Sequence, residues 1–88
     1  MSRKQVLFLC THNSSRSQMA EAIMNSFLGE KYEAFSAGTE VTEVNSFAVE
    51  VMNDLGVDMS SHYSKHLGEF DDRKFDIVVT VCDSANEN

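Results

Sequence analysis

The sequence predicts an α/β fold in which a parallel sheet is covered by helices. Three apolar, strand-like segments alternate with two helical patterns along the 88 residues, and this alternation is typical of parallel strands joined by crossover helices. The composition, 42% apolar and 24% charged, is ordinary for a globular domain. A chain of this length holds one small hydrophobic core, so we expect a single domain over residues 1–88.

The first strand is predicted at residues 5–10, because an unbroken apolar run of this length indicates a strand buried on both faces. Polar residues follow it, and then apolar side chains recur with helical spacing. This stripe contains Met19, Ala20, Ile23, Met24, Phe27 and Leu28. Gly29 marks the end of the helix. Residues 32–36 are predicted to form a short second strand, which ends at Ala37 and Gly38.

The second helix is predicted to begin after Asn45, since asparagine is a favoured helix N-cap, and to end before Gly56. We expect its buried face to consist of Phe47, Ala48, Val51, Met52 and Leu55. The polar stretch that follows allows a short helix at residues 69–73. The last strand is predicted at residues 75–81, which again form an apolar run.

Charge is distributed unevenly along the chain. It carries 7 basic and 14 acidic residues, for a net charge of −7, yet the first twenty residues contain three bases and no acid. The acidic remainder would repel a phosphate backbone, so we do not expect nucleic-acid binding, and an anion should bind near the N-terminus. No apolar run approaches the roughly 20 residues that span a bilayer, and no secretory signal is visible. We therefore expect no membrane contact and a cytoplasmic location.

The two cysteines, Cys10 and Cys82, are too few for a disulfide-stapled scaffold, and their spacing to the histidines does not suggest zinc. Cys10 ends the first strand and Cys82 follows the last one. If those strands are neighbours, about 4.8 Å apart, both thiols lie at the edge where parallel sheets bind ligands. The alternative is that both are inert, packed thiols.

The segment from Cys10 to Arg16 fits the pattern Cys-x5-Arg, and it lies between a buried strand and a helix. Successive backbone N–H groups in such a loop form a nest for a tetrahedral oxyanion, and an arginine adds two parallel hydrogen bonds. The same donors, with the Ser17 hydroxyl, favour a thiolate at Cys10. We expect Asn13 to adopt the left-handed backbone that such a loop needs.

Cys10, Arg16 and Cys82 are therefore the candidate catalytic residues, and no metal site or cofactor is predicted. The predicted oxyanion-binding residues are Thr11, His12, Asn13, Ser14, Ser15, Arg16 and Ser17.

This loop resembles the signature of the low-molecular-weight protein tyrosine phosphatase superfamily, and within it the thioredoxin-coupled arsenate reductases. The resemblance is carried by Val6–Glu21, Ser36–Thr39 and Asp76–Cys82. Phosphatases of the superfamily usually have Pro after the Arg-Ser pair, whereas this chain has Gln18, and they need no thiol at Cys82. The resemblance implies a three-layer α/β/α fold with a parallel sheet.

The resemblance also implies a redox relay. Cys10 would attack arsenate, and Cys82 would then attack the Cys10 sulfur, release arsenite and leave a disulfide. A third cysteine would resolve that disulfide, and thioredoxin would reduce it. The partners implied are arsenate or phosphate and thioredoxin.

Three departures from the family pattern affect these expectations. The third cysteine would come just beyond Asn88, and the chain contains no Pro for the family's Asp-Pro acid loop. We therefore expect the phosphatase-like domain to lack its C-terminal portion. Some relatives bind potassium with residues matching Asn13, Glu21 and Ser36, but Lys65 replaces an acidic ligand, so no potassium dependence is predicted.

Two other functions stay open. The first is hydrolysis of phosphotyrosine, which requires only Cys10, Arg16 and an acid; Gln18 and Cys82 speak against it. The second is capture of an oxyanion without turnover, since the 88 residues alone would bind the anion without completing a cycle.

Overall fold

The computed structural model describes residues 3–81, which contain three strands, two α-helices and one 3₁₀ turn. In chain order these are β1 (Lys4–Cys10), α1 (Arg16–Phe27), β2 (Tyr32–Gly38), α2 (Ser46–Asp54), the 3₁₀ turn (Leu67–Phe70) and β3 (Ile77–Thr80). The predicted order of elements is confirmed. Cys82, one of the candidate catalytic residues, lies outside the described residues.

The three strands form a parallel sheet in the order β2-β1-β3. The first and last strands are therefore neighbours, as the sequence predicts. Cys10 pairs with Gly38 on one side, and Leu9 pairs with Thr80 on the other. Because the strands run in the same direction, their carboxyl ends meet at one edge of the sheet, where the loop after Cys10 begins.

Apolar packing places α1 on one face of this sheet. One cluster joins Val6, Phe8 and Ala34 of the strands to the helix. A second cluster lies between the helices, where Ala22 of α1 packs with Met52 of α2. The α/β class with a parallel sheet is confirmed.

On the other face of the sheet, aromatic side chains pack against β2. Phe35 of β2 meets Phe70 and Phe75 edge to face, with ring centroids 5.8 and 5.6 Å away. No described helix is long and apolar enough to cross a membrane.

The predicted buried faces of the helices are partly wrong. Asn45 caps α2 as predicted, since its side chain accepts from the N–H groups of residues 47 and 48. Phe47 and Leu55, however, are 70% and 57% exposed, because α2 packs through the narrow stripe around Ala48 and Met52.

The apolar stripe of α1 is also turned partly toward solvent. The fully buried positions of the helix are Ser17, Gln18 and Ala22, whereas Ile23, Phe27 and Leu28 are exposed. The polar side of α1 therefore faces the loop and the chain segment beyond residue 60, and the reason lies in the hydrogen bonds described below.

The outer elements also differ from the prediction. β3 is shorter than predicted and its three apolar side chains, Ile77, Val78 and Val79, are exposed, because it has one neighbouring strand in the described sheet. β2 extends two residues further than predicted, to Gly38. The short helix expected at residues 69–73 is the 3₁₀ turn at Leu67–Phe70.

Candidate active site

Cys10 is buried at the carboxyl end of the central strand, and a five-residue loop leads from it to the first turn of α1. Asn13 turns this loop with a φ of 55°, which confirms the left-handed conformation predicted for it. The turn brings the backbone N–H of Asn13 to 3.0 Å from the Cys10 sulfur, where it donates a hydrogen bond. The thiol thus lies at the start of a helix, where positive potential favours a negative charge.

A second hydrogen bond reaches the sulfur from Ser17, whose Oγ is 2.9 Å from Cys10 Sγ. Its direction follows from Asn13. The N–H of Lys65 donates to Asn13 Oδ1 at 2.7 Å, so the Asn13 amide nitrogen faces Ser17 and donates to its Oγ at 2.9 Å. Ser17 accepts from Asn13, and its own proton is available to the sulfur. A Cys10 thiolate can only accept, so it receives hydrogen bonds from both Ser17 and the N–H of Asn13, and this arrangement favours the thiolate.

The backbone of residues 40–45, which we call the strap, runs along the outside of the loop. Three N–H groups of the strap donate to loop carbonyls: residue 40 to Thr11 (2.8 Å), residue 42 to His12 (3.3 Å) and residue 45 to Ser14 (2.7 Å). The carbonyl oxygens that would repel an oxyanion are therefore engaged by the strap. This leaves an anion to meet mainly the N–H groups of the loop.

Gly38 supports the loop from β2. A Cβ atom at this position would lie 2.5 Å from the Thr11 carbonyl oxygen and 3.0 Å from the Asn13 nitrogen. The sequence identifies Gly38 as the end of a strand and as part of the Ser36–Thr39 segment, but does not connect it with the loop. The connection comes from the structure, where Gly38 pairs with Cys10 in the strand register.

A buried ion pair lies beneath the loop. Lys65 is 8% exposed, and its ammonium is 3.6 Å from Glu21 Oε1 and donates to the Tyr63 carbonyl at 2.9 Å. Ser36 donates a hydrogen bond to the same carboxylate oxygen. The Lys65 side chain therefore places a positive charge beside Glu21 and Ser36, and its backbone N–H donates a hydrogen bond to the Asn13 side chain.

The predicted site residues that lie within residues 3–81 fall into three groups. Cys10, Asn13 and Ser17 are brought together, as described above. Thr11, His12, Ser14 and Ser15 form the rest of the loop. Arg16 is the first residue of α1 and is exposed.

Sequence reasoning missed several residues that hold the loop. Ser64 Oγ donates to the Asn13 carbonyl at 2.8 Å, and Gln18, Gly38 and Lys65 belong to the same support. Three or more His, Cys, Asp or Glu side chains do not converge as a metal site anywhere in residues 3–81.

Two groups in the segment beside the loop have shifted pKa values. The N–H of Ser60 donates to Asp58 at 2.8 Å, and this bond holds the pKa of Asp58 below its ordinary value. The hydroxyl of Tyr63 donates to Glu69 at 3.0 Å, which raises the pKa of Tyr63. Both shifts stabilise the native arrangement of residues 58–69 near neutral pH.

Comparison with known proteins agrees with this geometry. Residues 5–88 match the family described as low molecular weight phosphotyrosine protein phosphatase. Arsenate reductase 2 of Staphylococcus saprophyticus is 43% identical over 88 residues, which make up 100% of this chain and 67% of that protein.

Two solved structures show the same fold. A low molecular weight protein tyrosine phosphatase from T. tengcongensis matches with a TM-score of 0.75 and 42% identity, over 88% of this chain and 57% of its own. A thioredoxin-dependent arsenate reductase from Corynebacterium glutamicum matches with a TM-score of 0.79 and 35% identity, over 89% of this chain and 40% of its own. The chain spans about two thirds of the curated relative and less of the two solved chains. From its sequence match, its fold and its loop, the chain belongs to the low molecular weight phosphotyrosine protein phosphatase family.

Proposed function

We propose that this protein reduces arsenate through a thiol relay that begins at Cys10. The observation that carries the proposal is the pair of hydrogen bonds at the sulfur, 2.9 Å to the Ser17 hydroxyl and 3.0 Å from the N–H of Asn13, at the start of a helix. A thiolate held beside an oxyanion nest is a nucleophile placed next to its substrate. The similarity to an arsenate reductase at 43% identity supports arsenate as that substrate.

In the first step, the Cys10 thiolate attacks arsenic and displaces a hydroxyl group, which leaves as water after protonation. This forms a bond between sulfur and arsenic without a change of oxidation state. In the second step, the thiolate of Cys82 attacks the Cys10 sulfur. The electron pair of the sulfur–arsenic bond moves to arsenic, arsenite leaves, and the two thiols have supplied the two electrons as a disulfide.

The strand register supports the role of Cys82. Thr80 pairs with Leu9, and the N–H of Val81 donates to the Leu9 carbonyl at 2.7 Å. Continued by one position, this register sets Val81 opposite Cys10, and Cys82 is the next residue in the sequence. Adjacent parallel strands are about 4.8 Å apart and rise about 3.3 Å per residue, so an offset of one residue is compatible with the Cα separations that a disulfide spans.

A protein thiol is the natural reductant for such a disulfide, and we propose thioredoxin. The thioredoxin-dependent arsenate reductase of Corynebacterium glutamicum has the same fold. Because a relay of reduced thiols requires a reducing compartment, we place the protein in the cytoplasm.

The test is arsenate-dependent oxidation of reduced thioredoxin by the wild type, Cys10→Ser and Cys82→Ser. We expect both variants to lose turnover. Cys82→Ser should still bind the anion, because the loop is intact. Arsenate turnover that survives in Cys82→Ser would overturn the proposed relay.

Hydrolysis of phosphate esters is the second candidate, favoured by the 42% identity to a tyrosine phosphatase. It needs Cys10 and the loop but no second thiol. An aryl phosphate assay on the same variants separates the two functions. Under this second function, Cys82→Ser would keep full activity and only Cys10→Ser would lose it.

A further inference from the structure

The side chain of Gln18 is fully buried, so its amide must find hydrogen-bond partners within the protein. Its nitrogen lies 2.9 Å from the Tyr63 carbonyl oxygen, 3.1 Å from the Asn13 carbonyl oxygen and 2.8 Å from Asn13 Oδ1. Its oxygen lies 2.8 Å from His62 Nδ1. Gln18 thus joins the loop to a segment more than forty residues away in the sequence.

The direction of each bond in this network is determined by carbonyl groups, which can only accept. The carbonyls of Asn13 and Tyr63 require the Gln18 nitrogen to face them, so the Gln18 oxygen faces His62. His62 Nδ1 therefore carries a proton and donates it to Gln18. From Gln18 the donors continue through Asn13 and Ser17 to the Cys10 sulfur.

We propose that His62 is a positioning residue for the Cys10 thiolate and acts through this chain of hydrogen bonds, an inference that rests on the proposed role of Cys10 as the nucleophile. The four bonds measure 2.8, 2.8, 2.9 and 2.9 Å, and every donor points toward the sulfur. Hydrogen bonds aligned in this way polarise one another. The donor at the half-buried His62 therefore strengthens the hydrogen bond that Ser17 makes to the thiolate.

Charged side chains lie near His62, but none of them belongs to the hydrogen-bond chain that links His62 to Cys10. The charge of His62 is the smallest of the causes that lower the pKa of Asp58, after the hydrogen bonds from Ser60. Glu21, Lys65 and Glu69 line a surface cavity that His62 also lines. The chain to Cys10 runs through neutral amides and a hydroxyl, so it carries polarisation and orientation.

The test is the rate at which iodoacetamide alkylates Cys10 across acidic and neutral pH, read for each cysteine by peptide mass spectrometry. His62→Ala should move the pH profile upward and slow alkylation about two- to fivefold below neutral pH, the range expected for one weakened hydrogen bond. His62→Gln, whose amide can donate, should recover most of the rate. Ser61→Ala is the matched control, because Ser61 is an exposed neighbour of His62, and its profile should equal that of the wild type.

A profile unchanged in His62→Ala, or shifted equally in His62→Ala and His62→Gln, would overturn the inference. A second variant, Gln18→Met, interrupts the chain while roughly preserving buried volume, and it should shift the profile at least as far as His62→Ala. An unshifted Gln18→Met would also overturn the inference. Melting temperatures identify any variant that fails to fold.

Arsenate turnover is measured separately on the same proteins. A His62-dependent shift without arsenate turnover would support the hydrogen-bond chain and refute the proposed reductase. Arsenate turnover without a His62-dependent shift would support the proposed reductase and refute the hydrogen-bond chain.

Discussion

Gly38 lies against Thr11 so closely that a Cβ atom on the glycine would meet the Thr11 carbonyl oxygen at 2.5 Å. The end of β2 can approach the loop only because residue 38 has no side chain. Gly38 is also opposite Cys10 in the sheet and donates its N–H to the Lys65 carbonyl at 2.8 Å. The backbone at Gly38 therefore contacts the loop on one side and is hydrogen-bonded to the backbone of Lys65 on the other.

Gly38→Ala should displace the loop and reduce stability by about 1–3 kcal/mol, the usual cost of overpacking. It should also weaken phosphate and arsenate binding, which calorimetry measures. The matched control is Gly56→Ala. Gly56 has a φ of 81° but open space around it, so this variant should lose about 1 kcal/mol of stability while anion affinity stays unchanged. Normal anion affinity in Gly38→Ala would contradict the prediction.

Lys65→Met should destabilise the protein by about 3 kcal/mol, because it leaves the Glu21 carboxylate nearly buried without its counter-charge. The double variant Lys65→Met/Glu21→Gln removes that charge and should recover part of the loss. Urea unfolding measures both. Lys74→Met tests an exposed lysine and should change stability by less than about 0.5 kcal/mol. An equal effect of the two lysine substitutions would show that the ion pair contributes nothing specific.

Potassium should not raise stability or turnover above the level seen with sodium at equal ionic strength. The reason is the Lys65 ammonium, which already lies 3.6 Å from the Glu21 carboxylate. Melting temperatures and arsenate turnover in the two chloride salts test this prediction. A clear increase with potassium would show that a cation competes successfully with Lys65.

Asp58→Ala should reduce stability at neutral pH, since the folded state lowers the pKa of Asp58 through the hydrogen bond from Ser60. A lowered pKa contributes stability above the unfolded value of about 3.9, and this contribution is lost as pH falls through the folded value. The difference from the wild type should therefore shrink in strong acid. Asp72→Ala, an exposed acid, is the control. A difference that persists at acid pH would mean that packing, and not the ionised carboxylate, is responsible.

Local features of this site could be predicted from sequence because they depend on neighbouring residues. The apolar run that ends at Cys10 and the polar loop before a helix indicate a strand, a turn and a helix start. Asn13 is one of the few residue types that tolerate the left-handed conformation, and Asn45 is a favoured cap. The structure confirms both conformations.

The supports of the loop could not be predicted because they come from distant parts of the chain. Lys65 meets Asn13 across 52 positions, and His62 meets Gln18 across 44. Residues 17, 18 and 21 of α1 face these partners, so the helix turns its polar side inward and exposes Phe27. Hydrophobic periodicity predicts that the apolar stripe of α1 is buried in the core. This prediction is partly wrong because polar residues of the same helix are buried against the loop.

The alignment of β1 with β3 sets more than the shape of the sheet. The N–H of Val81 donates to the Leu9 carbonyl, so the two strands stay aligned up to the residue before Cys10. A slip of one position would turn successive side chains of β3 to the opposite face. Under the relay proposed above, this alignment determines where the chain after Val81 begins relative to Cys10, and a slipped chain would be expected to bind arsenate without reducing it.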